Sequence, residues 1–129
     1  SLFLRRQDLE WYGGEKYFQT KIKVESITLK DFMKEKRIKK IDMMWLDAQG
    51  SELMILKGMG KRLKDVRIIL TEVELQEEYA GQPLWPDMKR FFEDNGFTFW
   101  GWAALGEPYN GDTIFINNND FNNHPAPQS

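Results

Sequence analysis

The sequence lacks cysteine altogether, and this absence excludes several classes of chemistry. Without thiols there are no disulfides, no cysteine-based metal sites and no thiol nucleophiles. The single histidine, His124, lies in a polar C-terminal segment, so a histidine general base is not expected. The 18 basic and 20 acidic side chains give a formal net charge of −2. This balance provides no basic excess that would indicate a nucleic acid or an anionic membrane surface as the partner.

Long apolar runs are also missing, since none approaches the ~18 residues of a membrane-spanning helix. The first residues, SLFLRRQDLEW, place their arginines after a short apolar stretch, which is not the order of a signal peptide. We therefore expect a cytoplasmic protein without a membrane span. With 129 residues, of which 41% are hydrophobic, the chain has the size of one globular domain.

Nucleotide-binding and metallohydrolase signatures are absent too. No GxGxxG follows a predicted strand, and neither GxxxxGK[ST] nor HExxH occurs. Any glycine-rich loop for a cofactor must therefore lie outside these residues.

The pattern that is present alternates strands with helices. This order predicts an α/β fold with a mostly parallel sheet that ends in an antiparallel hairpin. Residues 119–129 are polar and aperiodic, so we predict a mobile tail after a domain over 1–118. The predicted strands are 21–27, 41–47, 66–73, 97–103 and 113–116, and the predicted helices are 29–36, 51–63 and 86–95.

The stretch IDMMWLDAQGSELMILKG (41–58) contains the strongest candidates for chemistry. Its apolar strand ends at Asp47, and the next apolar strand closes near Glu72. Consecutive parallel strands bring their carboxyl ends to one edge, where α/β sheets bind ligands. A carboxylate there can take a proton, accept hydrogen bonds or help to hold a cation. Equally, each acid can cap the following helix or pair with a nearby base.

Three further residues lie at the start of the following helix. Gly50 permits a backbone conformation closed to other residues, or the close approach of a ligand. Gln49 lies beside it in the same turn. Glu52 in the first helical turn is favoured by the helix dipole and needs no function to explain it.

Six segments of the chain together form a family pattern: TLKDF (28–32), IDMMWLDAQGSELMILKG (41–58), IILTEVE (68–74), EEYAGQ (77–82), NGF (95–97) and GDTIFIN (111–117). In this order they resemble the FkbM family of S-adenosylmethionine-dependent methyltransferases. The resemblance implies the C-terminal half of a Rossmann-like methyltransferase fold. Such enzymes move a methyl group from S-adenosylmethionine to a hydroxyl, often on a sugar or a natural product.

The resemblance also implies roles for individual residues. Asp47 and Glu72 are the expected catalytic acids, and Asp47, Gln49 and Gly50 the expected cofactor contacts. Glu52 and Trp45 are the expected substrate contacts, although Trp45 stands where the family commonly has lysine. A divalent metal is compatible with this chemistry, but no residue pattern indicates one.

The expected partner is a small-molecule or sugar hydroxyl. The resemblance further implies that the N-terminal half of the domain, with the cofactor turn, precedes residue 1 or comes from a second copy in a homo-oligomer. The alternative is a non-catalytic half-domain that acts as a protein-interaction module. A receiver-like phosphorylation switch with Asp47 as acceptor is weaker, because the acidic pair and lysine of such domains are not in place.

Overall fold

The computed structural model describes residues 23–77, 80–106 and 109–121 of the chain. This part is a mixed α/β unit, as predicted. The elements are α1 (Leu29–Glu35), β1 (Ile41–Leu46), α2 (Glu52–Gly58), a 3₁₀ helix (Gly60–Asp65), β2 (Val66–Glu74), α3 (Trp85–Asp94), β3 (Phe97–Gly106), β4 (Asn110–Asn117) and α4 (Asn118–Phe121).

Local sequence signals explain several of these boundaries. The hydroxyl of Thr28 accepts a hydrogen bond from the Asp31 backbone at 3.1 Å, which caps α1 as predicted. The predicted helix 51–63 is divided into α2 and the 3₁₀ helix. Gly58 and Gly60 flank the division, and Gly60 has a φ of +52°. Glycine is a weak helix former, so the break falls where the helix is least favoured.

The prediction of a strand over 21–27 is wrong for its described part. Residues 23–28 have no regular structure, and Val24 and Ile27 are exposed. Residues 21 and 22 lie outside the described residues. An alternating pattern forms a strand only where a neighbouring strand accepts its hydrogen bonds, and none does so here among the described residues.

The sheet has the order β1-β2-β4-β3. Only β1 and β2 pair in parallel, through the α2 crossover, whereas β2–β4 and β3–β4 are antiparallel. The prediction of a mostly parallel sheet is therefore wrong, although the closing antiparallel hairpin is confirmed. The physical reason is the position of β4: the hairpin inserts it between β2 and β3, so it pairs antiparallel on both sides.

The hydrophobic core lies on one face of the sheet, beneath the helices. Phe92 of α3 stacks on Phe115 of β4, with ring centroids 3.9 Å apart. The buried core residues are Met33, Met44, Leu46, Leu56, Met59, Leu63, Val66, Ile69, Val73, Met88, Phe92, Phe97 and Phe115.

The opposite sheet face is largely uncovered along β1 by the described residues. Met43 is 57% exposed and Trp45 is 67% exposed. The residues that alternate with them, Met44 and Leu46, are buried. The apolar sequence of β1 therefore does not mean that both of its faces are buried. β1 is also an edge strand, because only β2 pairs with it among the described residues.

Buried polar side chains tie β4 to its neighbours. Thr113 donates its hydroxyl proton to the Thr71 carbonyl at 2.8 Å. The amide of Asn117 donates to the carbonyls of Lys64 and Val66, both at 3.0 Å. These bonds satisfy the end of the 3₁₀ helix and the start of β2, which would otherwise be costly to bury.

The predicted polar tail begins inside α4. Residues 122–129 lie outside the described residues, so the boundary between a domain over 1–118 and a mobile tail stays a prediction. None of the helices in the described part of the chain has both the length and the apolar character needed to cross a membrane.

Candidate functional site

The carboxyl ends of β1 and β2 bring acidic residues together at one edge of the sheet. The parallel register pairs Leu46 with Thr71, so Asp47 and Glu72 follow side by side. On the other side of β2, Glu72 lies opposite Asp112 of β4. The sequence places Asp47 and Glu72 near the ends of consecutive parallel strands, and such residues are expected to be neighbours. Asp112 was not predicted, because only the position of β4 beside β2 reveals it.

The environment of Glu72 raises its pKa above the ordinary value. Partial burial is the main cause, because it penalises the charged form. The hydrogen bond with Glu74 acts in the opposite direction, while the negative charges of Asp47, Asp112 and Glu52 raise the pKa further. Glu72 therefore keeps a proton to higher pH than an ordinary glutamate.

Asp47, Glu72 and Asp112 form no ion pair with the residues that the structure describes. The ion pairs found in the described part of the chain join Arg62 to Asp65, Arg67 to Asp42 and Asp120, and Lys89 to Glu93. None of them involves Asp47, Glu72 or Asp112. Within the described part of the chain, these carboxylates are therefore available to cations and hydrogen-bond donors.

The turn between β1 and α2 has an uncommon backbone conformation. Gln49 and Gly50 have positive φ values of 51° and 97°. The Ser51 amide closes the turn on the Ala48 carbonyl at 3.2 Å. Two successive positive φ values are the pattern of a type I′ turn. A left-handed conformation at Gln49 is unfavourable for a residue with a side chain, so other contacts must hold it.

Glu52 supplies two of those contacts. One carboxylate oxygen accepts the Ala48 amide at 2.8 Å, and the other accepts the Gly50 amide at 2.9 Å. The residue is only 6% exposed. Both oxygens of the Glu52 carboxylate are thus hydrogen-bonded to the backbone of the turn that precedes it. The predicted contact of Glu52 with substrate stays a prediction.

Gln82 is a site residue that the sequence analysis did not single out. It is buried, and its side chain packs on Gly50 from the loop between β2 and α3. The only available signal was its position at the end of the EEYAGQ segment, which shows no spacing typical of a site. The packing explains the glycine, because a side chain at position 50 would press on Gln82.

The other predicted site residues differ in accessibility. Asp47 and Gln49 are exposed, whereas Gly50 is buried and its amide is engaged by Glu52. Trp45 is exposed on the face of β1 away from the core, in register with Leu70. A ligand can therefore reach Asp47, Gln49 and Trp45 directly, while Gly50 acts through the shape of the turn.

Two cavities lie beside Gln82, and only the smaller one is at the sheet edge. One of ≈ 10 Å³ is lined by Gly50, Glu52, Glu72, Glu74 and Gln82 among others, and it has room for about one water molecule. A larger groove of ≈ 360 Å³ lies between α2 and α3, away from Asp47, and is lined by residues that include Lys57 and Arg90. Within the described ranges, no group of three or more acidic or histidine side chains is arranged to hold a metal ion.

Comparison with known proteins gives a family and one relative. The methyltransferase FkbM domain matches residues 5–99. The chain is 38% identical over 65 residues to a protein named 2-O-methyltransferase NoeI from Sinorhizobium fredii (strain NBRC 101917 / NGR234). That alignment covers 50% of this chain and 27% of the relative, so the chain spans about a quarter of the relative's length. No solved structure gives a significant match.

Proposed function

Because the chain belongs to the FkbM methyltransferase domain family, we propose that it provides the acceptor side of an enzyme that methylates a hydroxyl group with S-adenosylmethionine. The observation that carries this proposal is the placement of Asp47 beside Glu72 at the carboxyl edge of β1 and β2. The activity and the substrate are proposed for the protein that contains this chain.

The residues present fit the proposed cofactor. S-adenosylmethionine supplies an electrophilic methyl group on a positively charged sulfur when it is bound. A positive ligand suits an edge at which Asp47, Glu72 and Asp112 form no ion pair with the described residues. The exposed Asp47 and Gln49 would hold its polar groups, and Gly50 would shape the turn beneath them.

The acids also fit the needs of a hydroxyl acceptor. A hydroxyl is a poor nucleophile until a base removes or polarises its proton. Asp47 is exposed and can accept that proton, and Glu72 lies beside it with a raised pKa. The remaining contribution is positioning, since alignment of reacting groups alone can supply a large part of a rate enhancement.

For the acceptor, we propose a sugar or a similar small molecule. The relative's name, 2-O-methyltransferase, supports oxygen as the atom that receives the methyl group. Exposed Trp45 offers an aromatic surface on which the apolar face of a sugar ring can pack. Carboxylates such as Asp47 accept hydrogen bonds from neighbouring hydroxyls.

We further propose that the cofactor side of the site comes from additional strands beside β1. The outer edge of β1 is unpaired among the described residues, and an exposed apolar edge strand favours association with another strand. The N-terminal half of the same domain in a longer polypeptide is the first candidate, and a second copy of the chain is the other.

The test is methyl transfer by the longest natural form of the protein, measured with radiolabelled S-adenosylmethionine and a panel of sugar hydroxyls. Asp47→Asn removes the proposed base, and we expect a loss of about 10²-fold or more in kcat. The matched control is Asp42→Asn, which makes the same change at an exposed position in β1, the strand that precedes Asp47. Full activity of Asp47→Asn would contradict the catalytic role.

A second candidate function is a protein-interaction module without catalysis. The exposed Met43 and Trp45 beside an unpaired strand edge favour it. Isothermal titration with S-adenosylmethionine separates the two, since a module binds no cofactor in any natural form. Binding that Asp47→Asn weakens would support the enzyme instead.

A further inference from the structure

The turn that follows Asp47 is in contact with two buried side chains, those of Glu52 and Gln82. Glu52 accepts hydrogen bonds from the amides on both sides of Gln49, at 2.8 Å and 2.9 Å. Since Gln49 has a φ of 51°, an unfavourable region for a residue with a side chain, the conformation depends on such support.

The carboxylate is suited to this task in a way that other side chains are not. Its two oxygens both accept, so it can satisfy two amide donors that point toward the same place. Hydrogen bonds to a charged acceptor are stronger than neutral ones, and burial of Glu52 protects them from water. A glutamine would present one acceptor and one donor, and the donor would face an amide N–H.

Gln82 supports the same turn from the other side. Its side chain lies on Gly50, and it comes from the loop that follows β2. The turn after β1 and the loop after β2 therefore interlock through Gly50. This contact fixes the ends of the two strands that carry Asp47 and Glu72 relative to each other.

We propose that Glu52 and Gln82 are positioning residues that hold the turn of residues 47–50, and that Glu52 contacts its backbone rather than the substrate. The expected effect on kcat rests on the proposed function. The support of the turn by Glu52 and Gln82 does not depend on that function. We call the contacts of Glu52 and Gln82 with this turn the brace. Misplacement of a reacting group by about 1 Å can cost about 10²-fold in rate, so loss of either contact should lower kcat.

The structural part is tested by amide hydrogen exchange in the longest natural form of the protein, without any ligand. Glu52→Gln should raise the exchange rates of the Ala48 and Gly50 amides by about tenfold or more, because a glutamine can keep only one of the two hydrogen bonds, and that one without the charge. Glu93→Gln is the matched control: Glu93 is exposed on α3 and pairs only with Lys89 at 3.6 Å among the described residues. It should leave both amides unchanged.

Kinetics test the consequence. We expect Glu52→Gln and Gln82→Ala to lower kcat by about 10- to 100-fold, with the KM for the acceptor changed less than about threefold. Glu52→Asp, which keeps the charge but shortens the side chain, should restore at most one of the two hydrogen bonds and only part of kcat. If Glu52 instead binds substrate, Glu52→Gln will raise KM and leave the exchange of Ala48 and Gly50 as it was.

The outcomes separate this inference from the proposed function. Faster exchange at Ala48 and Gly50 with no methyl transfer from any natural form would support the brace and overturn the methyltransferase proposal. Unchanged exchange in both Glu52→Gln and Gln82→Ala would overturn the brace, whatever the activity. If Glu52→Gln does not fold, Gln82→Ala decides the question by the same two amides.

Discussion

The side chain of Gln82 lies so close to Gly50 that a Cβ atom on Gly50 would sit 3.2 Å from the Gln82 Nε2 atom. Gly50 also has a φ of +97°. Two independent requirements therefore select glycine here: the left-handed backbone and the space taken by Gln82. Each requirement can be measured separately, because Gly96 has the left-handed backbone alone and Gly111 has the close packing alone.

Gly50→Ala should lower the free energy of unfolding by about 1–3 kcal/mol, measured by urea denaturation. Gly96→Ala is the control, since Gly96 has a φ of +82° but nothing within 4 Å of an added Cβ. We expect the substitution at Gly50 to cost more than the one at Gly96. In the background of Gln82→Ala the difference should disappear, and equal costs in the parent protein would contradict the packing.

Gly111 is selected by close packing alone. A Cβ there would lie 2.7 Å from the Cζ3 atom of Trp102, whose ring is 5.0 Å from that of Trp85. Gly111→Ala must therefore displace Trp102 and should destabilise the fold by about 1–3 kcal/mol, with a shift in tryptophan fluorescence. Gly101→Ala in the neighbouring strand meets nothing within 4 Å and should change stability by less than about 0.5 kcal/mol. An unshifted spectrum for Gly111→Ala would contradict the contact.

The stacked pair Phe92 and Phe115 joins α3 to the centre of the sheet. Phe92 is fully buried, so Phe92→Ala should cost about 3–5 kcal/mol of unfolding free energy. Phe32→Ala on α1 removes the same side chain from a position that is 38% exposed, and it should cost much less. Thermal and chemical denaturation should rank the two variants in this order. Equal losses of unfolding free energy in the two variants would contradict the central place of Phe92 in the core.

The raised pKa of Glu72 makes stability depend on pH. Between the ordinary value of 4.5 and the raised value, the folded state holds a proton that the unfolded chain has lost. The free energy of unfolding contributed by this group therefore falls as the pH rises through that window, and the cost stays in full above it. Glu72→Gln has no proton to lose, so its stability relative to the parent should increase with pH.

The measurement is chemical denaturation of both proteins between about pH 4 and about pH 8. Glu93→Gln, at an exposed glutamate on α3, is the control for the loss of a negative charge. A gap between Glu72→Gln and the parent that does not change with pH would contradict the raised pKa.

Local features of the fold could be predicted from the sequence. The N-cap at Thr28, the C-cap of α3 at Asn95 and the approximate ends of β1 and β2 near Asp47 and Glu72 depend on neighbours in the chain. The partners of these elements could not be predicted in the same way. Alternation of strands and helices indicates crossovers, but it does not show that β4 enters the sheet between β2 and β3.

In the candidate site, too, some residues can be predicted from the sequence and others only from the tertiary structure. Asp47 and Glu72 are visible in the sequence because each follows an apolar run, and the structure places them side by side. Gln82 and Asp112 are contributed by a loop and by an antiparallel strand, so only the tertiary structure reveals them. The buried state of Glu52 was also hidden, because an acid in a first helical turn usually faces water.

The inner position of β4 has a consequence for biosynthesis. Both strands that flank it, β2 and β3, come earlier in the chain, and neither pairs with the other. While the polypeptide emerges from the ribosome, these two strands have no common partner until residues 110–117 have been made. The sheet therefore cannot form strand by strand from its N-terminal side. A chain stopped before Asn110 would leave unpaired the edges of β2 and β3 that β4 normally joins. Unpaired strand edges associate with other chains, so nascent forms of this protein are candidates for protection by chaperones.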